Sequence, residues 1–148
     1  MRARSCLIPL TVIAATAFTP QASAQAMVRE QKVISSAGAR ALAAYLDRFY
    51  RGRRVHMIYG AMRDKAVEEV CGILFPRAQQ VIATAPDQPR ALHPQAIQDL
   101  AEHTDLRVAA TLGEALELVR DATPQDAIVI TGSLYLVGEA RTLLKARP

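Results

Sequence analysis

Four short apolar runs, each followed by a stretch of helical periodicity, constrain this chain more than any other feature. They are Val55–Tyr59, Gln80–Thr84, Leu106–Ala110 and Ala127–Thr131. Runs of this length with no polar alternation suit strands buried on both faces. A helix stands between each pair, so the strands are expected to run parallel with right-handed crossovers. The expected fold class is therefore α/β: an open, mainly parallel, Rossmann-like sheet flanked by helices.

The first unit carries most of the chemistry. After Val55-His-Met-Ile-Tyr59, Gly60 turns the chain and Asp64 is placed as the N-cap of a helix. Glu68 and Glu69 follow where negative charge suits the helix dipole, and Val67, Val70, Cys71 and Leu74 form one apolar face. Before it, a helix is predicted over Ala37–Tyr50, with Leu42, Tyr45, Leu46 and Phe49 on its apolar side and Gly52 ending it. After the second strand, Ala85–Arg90 holds two prolines and is a loop. His93-Pro94 starts a helix whose Ile97, Leu100 and Ala101 are expected to face the core. The helix after the third strand carries Leu112, Ala115, Leu116 and Val119. Gly132-Ser133 precedes a last helix, Leu134–Lys145.

Parallel order gathers every strand-to-helix loop on one edge, where ligands bind in open α/β sheets. Arg63, Lys65, Arg90 and the Ser133 hydroxyl meet there with several helix N-termini, which describes a site for a carboxylate or phosphate. Plainer roles stay open: Lys65 as a solvated first-turn residue, Arg90 as a partner of Asp87, Gly132-Ser133 as a turn and cap. No Gly-x-x-x-x-Gly-Lys-Ser/Thr phosphate loop or Gly-x-Gly-x-x-Gly fingerprint occurs. Neither does any nucleophile triad or histidine spacing suited to a metal. His56, His93 and His103 are read as strand, cap and surface residues, and Cys71 as a buried hydrophobe.

The totals fit one domain with appended sequence: 148 residues, 51% hydrophobic, and a mild net charge of +4. No nucleic-acid partner and no stable membrane span are expected. Residues 1–26 have the layout of a secretory leader: Arg2 and Arg4, an apolar Leu7–Phe18, then Ala22-Ser23-Ala24 before Gln25. The plainer alternative is an accidental apolar start on a broken or wrongly begun reading frame. Residues 27–36 form a junction, and the domain proper is placed at 37–148.

Three motifs carry a resemblance: Tyr59-Gly-Ala-Met-Arg-Asp-Lys65, Thr84-Ala-Pro-Asp-Gln-Pro-Arg90-Ala91 and Thr131-Gly-Ser-Leu-Tyr-Leu-Val-Gly-Glu-Ala-Arg141. In order and at strand ends, they resemble the C-terminal domain of the bifunctional folylpolyglutamate synthase/dihydrofolate synthase family, a branch of the Mur ligase superfamily. The resemblance implies an ATP- and Mg2+-dependent ligase in which a folate or dihydropteroate carboxylate is phosphorylated and the amino group of glutamate attacks the acyl phosphate. It also implies that an N-terminal ATP-binding domain supplies the phosphate loop, the metal ligands and most folate contacts. By motif position, Arg90 would hold the incoming glutamate with Asp87 beside it, and Ser133 would touch the same ligand. Arg63, Asp64 and Lys65 would line the domain interface.

The family's Asp-Gly-Ala-His-Asn-Pro stretch is replaced here by Gln31-Lys-Val-Ile-Ser-Ser36 before Ala37-Gly-Ala-Arg40 resumes the pattern. With no phosphate loop in these residues, the chain is not expected to ligate by itself or to hold ATP or Mg2+ tightly alone. Two other readings stand beside the ligase one: a non-catalytic carboxylate-binding module, exported if the leader works, and a remnant of a truncated gene. Family membership implies a cytoplasmic location, whereas a working leader implies a secreted or periplasmic one.

Overall fold

A computed structural model describes residues 36–63 and 66–146. The leader, most of the junction, and Asp64 and Lys65 lie outside the described residues. The elements are α1 (Ser36–Phe49), β1 (Val55–Tyr59), α2 (Val67–Leu74) with a 3-10 turn at Phe75–Arg77, and β2 (Gln80–Ala83). They continue with α3 (Pro94–Leu100), β3 (Leu106–Val108), α4 (Leu112–Leu118), β4 (Ala127–Thr131) and α5 (Leu134–Ala146). All four strands are parallel, in the order β3-β2-β1-β4. The expected α/β class and parallel order hold.

Register explains why the strands read as unbroken apolar runs. Met57 lies beside Val81 and Val129, and Ile58 beside Ile82 and Ile130. Successive side chains on a strand point to opposite faces. One row, Val81, Met57 and Val129, therefore packs into a cluster with α1, α2 and Ile97 of α3. The next row, Ile82, Ile58 and Ile130, packs with Leu112, Ala115 and Leu116 of α4 and Leu136 and Ala140 of α5. With helices on both faces, no strand position on β1, β2 or β4 can afford sustained polar alternation.

Several boundaries and faces differ from the expectation. The buried stripe of α1 is Ala39, Leu42, Ala43 and Leu46. Tyr45 and Phe49, placed in the core by their spacing, are 41% and 57% exposed. Two alanines on the inner stripe let α1 lie close against α2 and turn the bulky rings outward. Leu100 is 47% exposed because the seven-residue α3 has room for little more than Pro94 and Ile97 on its inner line. Strand β3 ends at Val108 rather than Ala110, and Val108 and Arg107 are exposed, as suits an edge strand paired on one side. The N-cap position of α2 is taken by Ala66, with no side-chain cap, rather than by Asp64. His93 does cap α3, accepting from the Gln95 N–H at 3.4 Å. His103 is partly buried, bonded to the Ala78 carbonyl at 3.0 Å, rather than a surface residue. Cys71 is buried beside Tyr59, and burial pushes its thiol up to about 12.

A clasp closes the amino-terminal edge of the sheet. Arg54, just before β1, donates from Nε and Nη2 to the two carboxylate oxygens of Asp126 at 3.0 and 2.9 Å. The Thr123 N–H and hydroxyl donate to the same carboxylate at 2.8 and 3.1 Å. These donors, Arg54 first, hold the Asp126 carboxyl well below its ordinary value of 3.8. A folded-state value below the unfolded one contributes stability above the unfolded value, and that contribution is lost as pH falls toward the folded one. Asp126→Asn should therefore lower the melting temperature at pH 7 while leaving melting less dependent on pH below about 4 than in the parent chain. Thermal melts from pH 7 to pH 2 check this; parallel curves for the two proteins would contradict it.

Candidate functional site

The strand order reverses between β1 and β4: the chain steps outward from β1 to β2 to β3, then returns to β1's other side. The crevice outside the carboxyl ends at such a reversal is where open α/β sheets hold ligands. Here that crevice is walled by the segments following β1, β2 and β4, and these are tied to one another.

The first tie joins the segments after β1 and β2. Met62 and Ala91 form an antiparallel bridge. The Arg63 N–H donates to the Arg90 carbonyl at 3.1 Å, and the Leu92 N–H to the Ala61 carbonyl at 2.8 Å. Arg63 Nε adds a bond to the Ala91 carbonyl at 3.2 Å. The second tie joins the β2 loop to α5, where the Asp87 N–H donates to Glu139 Oε2 at 3.3 Å. The third joins β4 to β1, through the Gly60 N–H and the Thr131 carbonyl at 3.2 Å. Arg63, Asp87 and Arg90 are all exposed on this edge.

Two glycines make the third tie possible. Gly132 has φ +102°, and a Cβ there would sit 2.4 Å from the Gly60 carbonyl oxygen and 2.8 Å from the Tyr59 ring. A Cβ on Gly60 would meet the Thr84 carbonyl oxygen at 2.7 Å. The strand ends thus approach backbone to backbone, which only glycine permits. Tyr59 itself is held edge-on to Phe75, with ring centroids 5.3 Å apart. Burial raises its phenol well above the ordinary range. Its ring forms the wall against which the Gly132 turn closes.

Ser133 is 4% exposed, and its Oγ accepts from the Tyr135 N–H at 3.2 Å while its carbonyl accepts from the Val137 N–H at 3.1 Å. It therefore caps α5, as the plainer reading held, and it does so at the crevice. The structure brings Arg63, Asp87, Arg90 and Ser133 to one edge; Asp64 and Lys65 lie outside the described residues. Sequence reasoning missed Glu139 and the bridge at Met62 and Ala91. Neither has a local signal, because both join segments far apart in the chain. Thr84, also at this edge, is fully buried with its hydroxyl unpartnered. Among the described residues no three His, Cys, Asp or Glu side chains cluster as metal ligands, and no helix is long and apolar enough to cross a membrane.

Comparison with known proteins decides the family. A family model described as "Mur ligase, glutamate ligase domain" matches residues 35–134. The chain belongs to the Mur ligase glutamate ligase domain family. A probable bifunctional folylpolyglutamate synthase/dihydropteroate synthase of Haloferax volcanii is 34% identical over 92 residues, covering 60% of this chain and 11% of that protein. Mycobacterium tuberculosis folylpolyglutamate synthase, solved with ADP, superposes with a TM-score of 0.69 at 32% identity over 77% of this chain and 29% of its own. The bifunctional folylpolyglutamate synthase/dihydrofolate synthase of Yersinia pestis, solved with AMPPNP and Mn ion, shares the fold with a TM-score of 0.68 at 20% identity. That match covers 75% of this chain and 27% of the other. The chain thus spans under a third of the length of these relatives. The family and fold expected from the three motifs are both present.

Gly132→Ala should destabilise the domain by roughly 2–4 kcal/mol, combining the strained φ with a backbone overlap that no rotamer relieves. Urea titration followed by circular dichroism measures this; a change under about 0.5 kcal/mol would show that the strand ends separate without penalty.

Proposed function

We propose that this domain presents glutamate as the attacking amine in an ATP-dependent carboxylate–amine ligation, on a folate or dihydropteroate acid activated elsewhere. The observation that carries the reading is the backbone bridge between the β1 and β2 segments, which fixes Arg63 and Arg90 on the edge that Ser133 shares. Two guanidinium groups on a braced rim suit a ligand with two carboxylates, since arginine bonds carboxylates through paired, charge-assisted N–H groups. Glutamate is such a ligand, and the family name points the same way.

In this scheme Arg90 holds a glutamate carboxylate, Asp87 stands near the ammonium end of the same ligand, and the Ser133 hydroxyl borders it. Asp64 and Lys65 belong to the face toward the activating domain. These residues orient the amine. Once its ammonium proton has passed to solvent, the amine forms the new C–N bond as the acyl C–O bond to phosphate breaks; inorganic phosphate leaves, and the nitrogen's surplus proton passes to phosphate or solvent. Among the described residues no three His, Cys, Asp or Glu side chains cluster, and the sequence holds no phosphate loop. Binding of ATP, its metal and the folate or dihydropteroate acid is therefore assigned to a separate N-terminal-type domain, and no step is routed through the metal here.

Isothermal titration calorimetry of L-glutamate into the intact chain should show binding that weakens about tenfold or more in Arg90→Ala, the loss of a charge-assisted pair. Arg90→Lys should recover only part of it, because lysine lacks the paired donors. Adding a phosphate-loop domain from a related synthase should then give ATP- and glutamate-dependent amide formation. Glutamate binding without turnover in that mixture would remove the ligation role and leave a carboxylate-binding module; no binding at all would remove both.

A further inference from the structure

The end of α1 and the turn into β1 carry a second surface, on the edge of the sheet opposite the crevice. Reading charge from the total alone passes over it. The segment is Arg48-Phe49-Tyr50-Arg51-Gly52-Arg53-Arg54, four arginines and two rings in seven residues. Tyr45 joins them from one helical turn back. Its ring lies 4.8 Å from that of Phe49 and 5.9 Å from that of Tyr50. The Arg48 guanidinium sits 5.2 Å over Phe49, and that of Arg53 sits 5.7 Å over Tyr50. The result is a layered row: Arg48, Phe49, Tyr45, Tyr50, Arg53.

Tyr50 packs partly against the core, but Tyr45 and Phe49 are 41% and 57% exposed and serve no core contact. Leu42 and Leu46 already fill the inner side of α1. The two nearby carboxylates are committed elsewhere: Asp47 to Arg77 at 2.9 Å, and Asp126 to Arg54 at 2.9 Å. Among the described residues, Arg48, Arg51 and Arg53 have no carboxylate partner. Exposed rings with arginine and without lysine make up the composition that concentrates binding energy at protein interfaces.

We propose that this row is a docking surface for an acidic protein segment in which Asp or Glu residues alternate with apolar side chains. Charge complementarity requires an anionic partner. The state of the rings selects among anions. Tyr45 stands tilted by 46° and 45° to Phe49 and Tyr50, and one guanidinium lies over Phe49 and another over Tyr50, so the rings do not line up as a platform for successive nucleobases. Phe49 and Tyr45 present exposed apolar ring surface, flanked by guanidinium groups whose N–H can donate to carboxylates. The partner reaches this surface without touching the crevice, because the length of the sheet separates the two edges.

Fluorescence anisotropy of the full 148-residue chain at about 0.1 M salt tests this. The probe is a labelled peptide of four Glu-Glu-Leu repeats, with its Gln-Gln-Leu counterpart and a twelve-nucleotide oligothymidylate as comparisons. The acidic peptide should bind, the amide peptide should not, and the oligothymidylate should bind at least about tenfold more weakly. Phe49→Ser, and separately Arg48, Arg51 and Arg53 all changed to Gln, should each weaken peptide binding about tenfold or more. Arg141→Gln, an exposed charge on α5, should not. All these side chains are on the surface, and melting curves check that the variants remain folded. Absence of peptide binding, equal binding of oligothymidylate, or loss in Arg141→Gln equal to that in the triple variant would each overturn the proposal.

Discussion

Strand β1 is hydrogen-bonded on both sides by parallel neighbours, and the rest of the domain follows from that arrangement. Parallel strands cannot be joined by tight turns, so a helix must cross between each pair. Crossovers in one hand then place helices on both faces, and both faces must be apolar. The rows Val81–Met57–Val129 and Ile82–Ile58–Ile130 are that requirement expressed in side chains. The same arrangement sends every strand's carboxyl end to one edge. The crevice is a by-product of how the core is built, before any binding residue is chosen.

At that edge the strand ends come closer than side chains allow. Gly132 and Gly60 let β4, β1 and β2 converge within backbone contact. The bridge at Met62 and Ala91 and the bond from Asp87 to Glu139 then turn loose loops into a braced rim. Preorganisation of this kind lowers the entropy lost when a small ligand is bound. The opposite edge is closed by a different device, the bidentate clasp of Arg54 on Asp126, to which Thr123 adds two further donors. One edge is thus braced through backbone and left open to ligand; the other is closed through side chains.

Much of this was legible in the chain itself. The apolar runs and the helical spacing between them gave the strands, their order of appearance and the shared edge. Arg63, Arg90 and Ser133 could be placed there because a strand's carboxyl end is a property of sequence direction. Tyr45 and Phe49 were misplaced because periodicity marks a stripe but not its rotation about the helix. The alanines at 39 and 43 decided that rotation, by allowing α1 to approach α2. Leu100 was misplaced because helix length was not known, and a two-turn helix has one inward line. The ties among loops were beyond reach, since Met62 and Ala91 are paired by topology and by nothing in their own neighbourhoods. The aromatic–arginine row was present in plain letters, but a net charge averages such a cluster away.

The bridge between the β1 and β2 segments has a consequence for how such a domain changes over time. It is made mainly of main-chain N–H and carbonyl groups, including the carbonyl of Arg90. Those groups are the same in every residue but proline. A different side chain at position 90 would inherit the same position on the same rim. Ligand preference can therefore drift by single substitutions while the frame that aims them stays in place, so the binding edge is a reusable mount as much as a dedicated site.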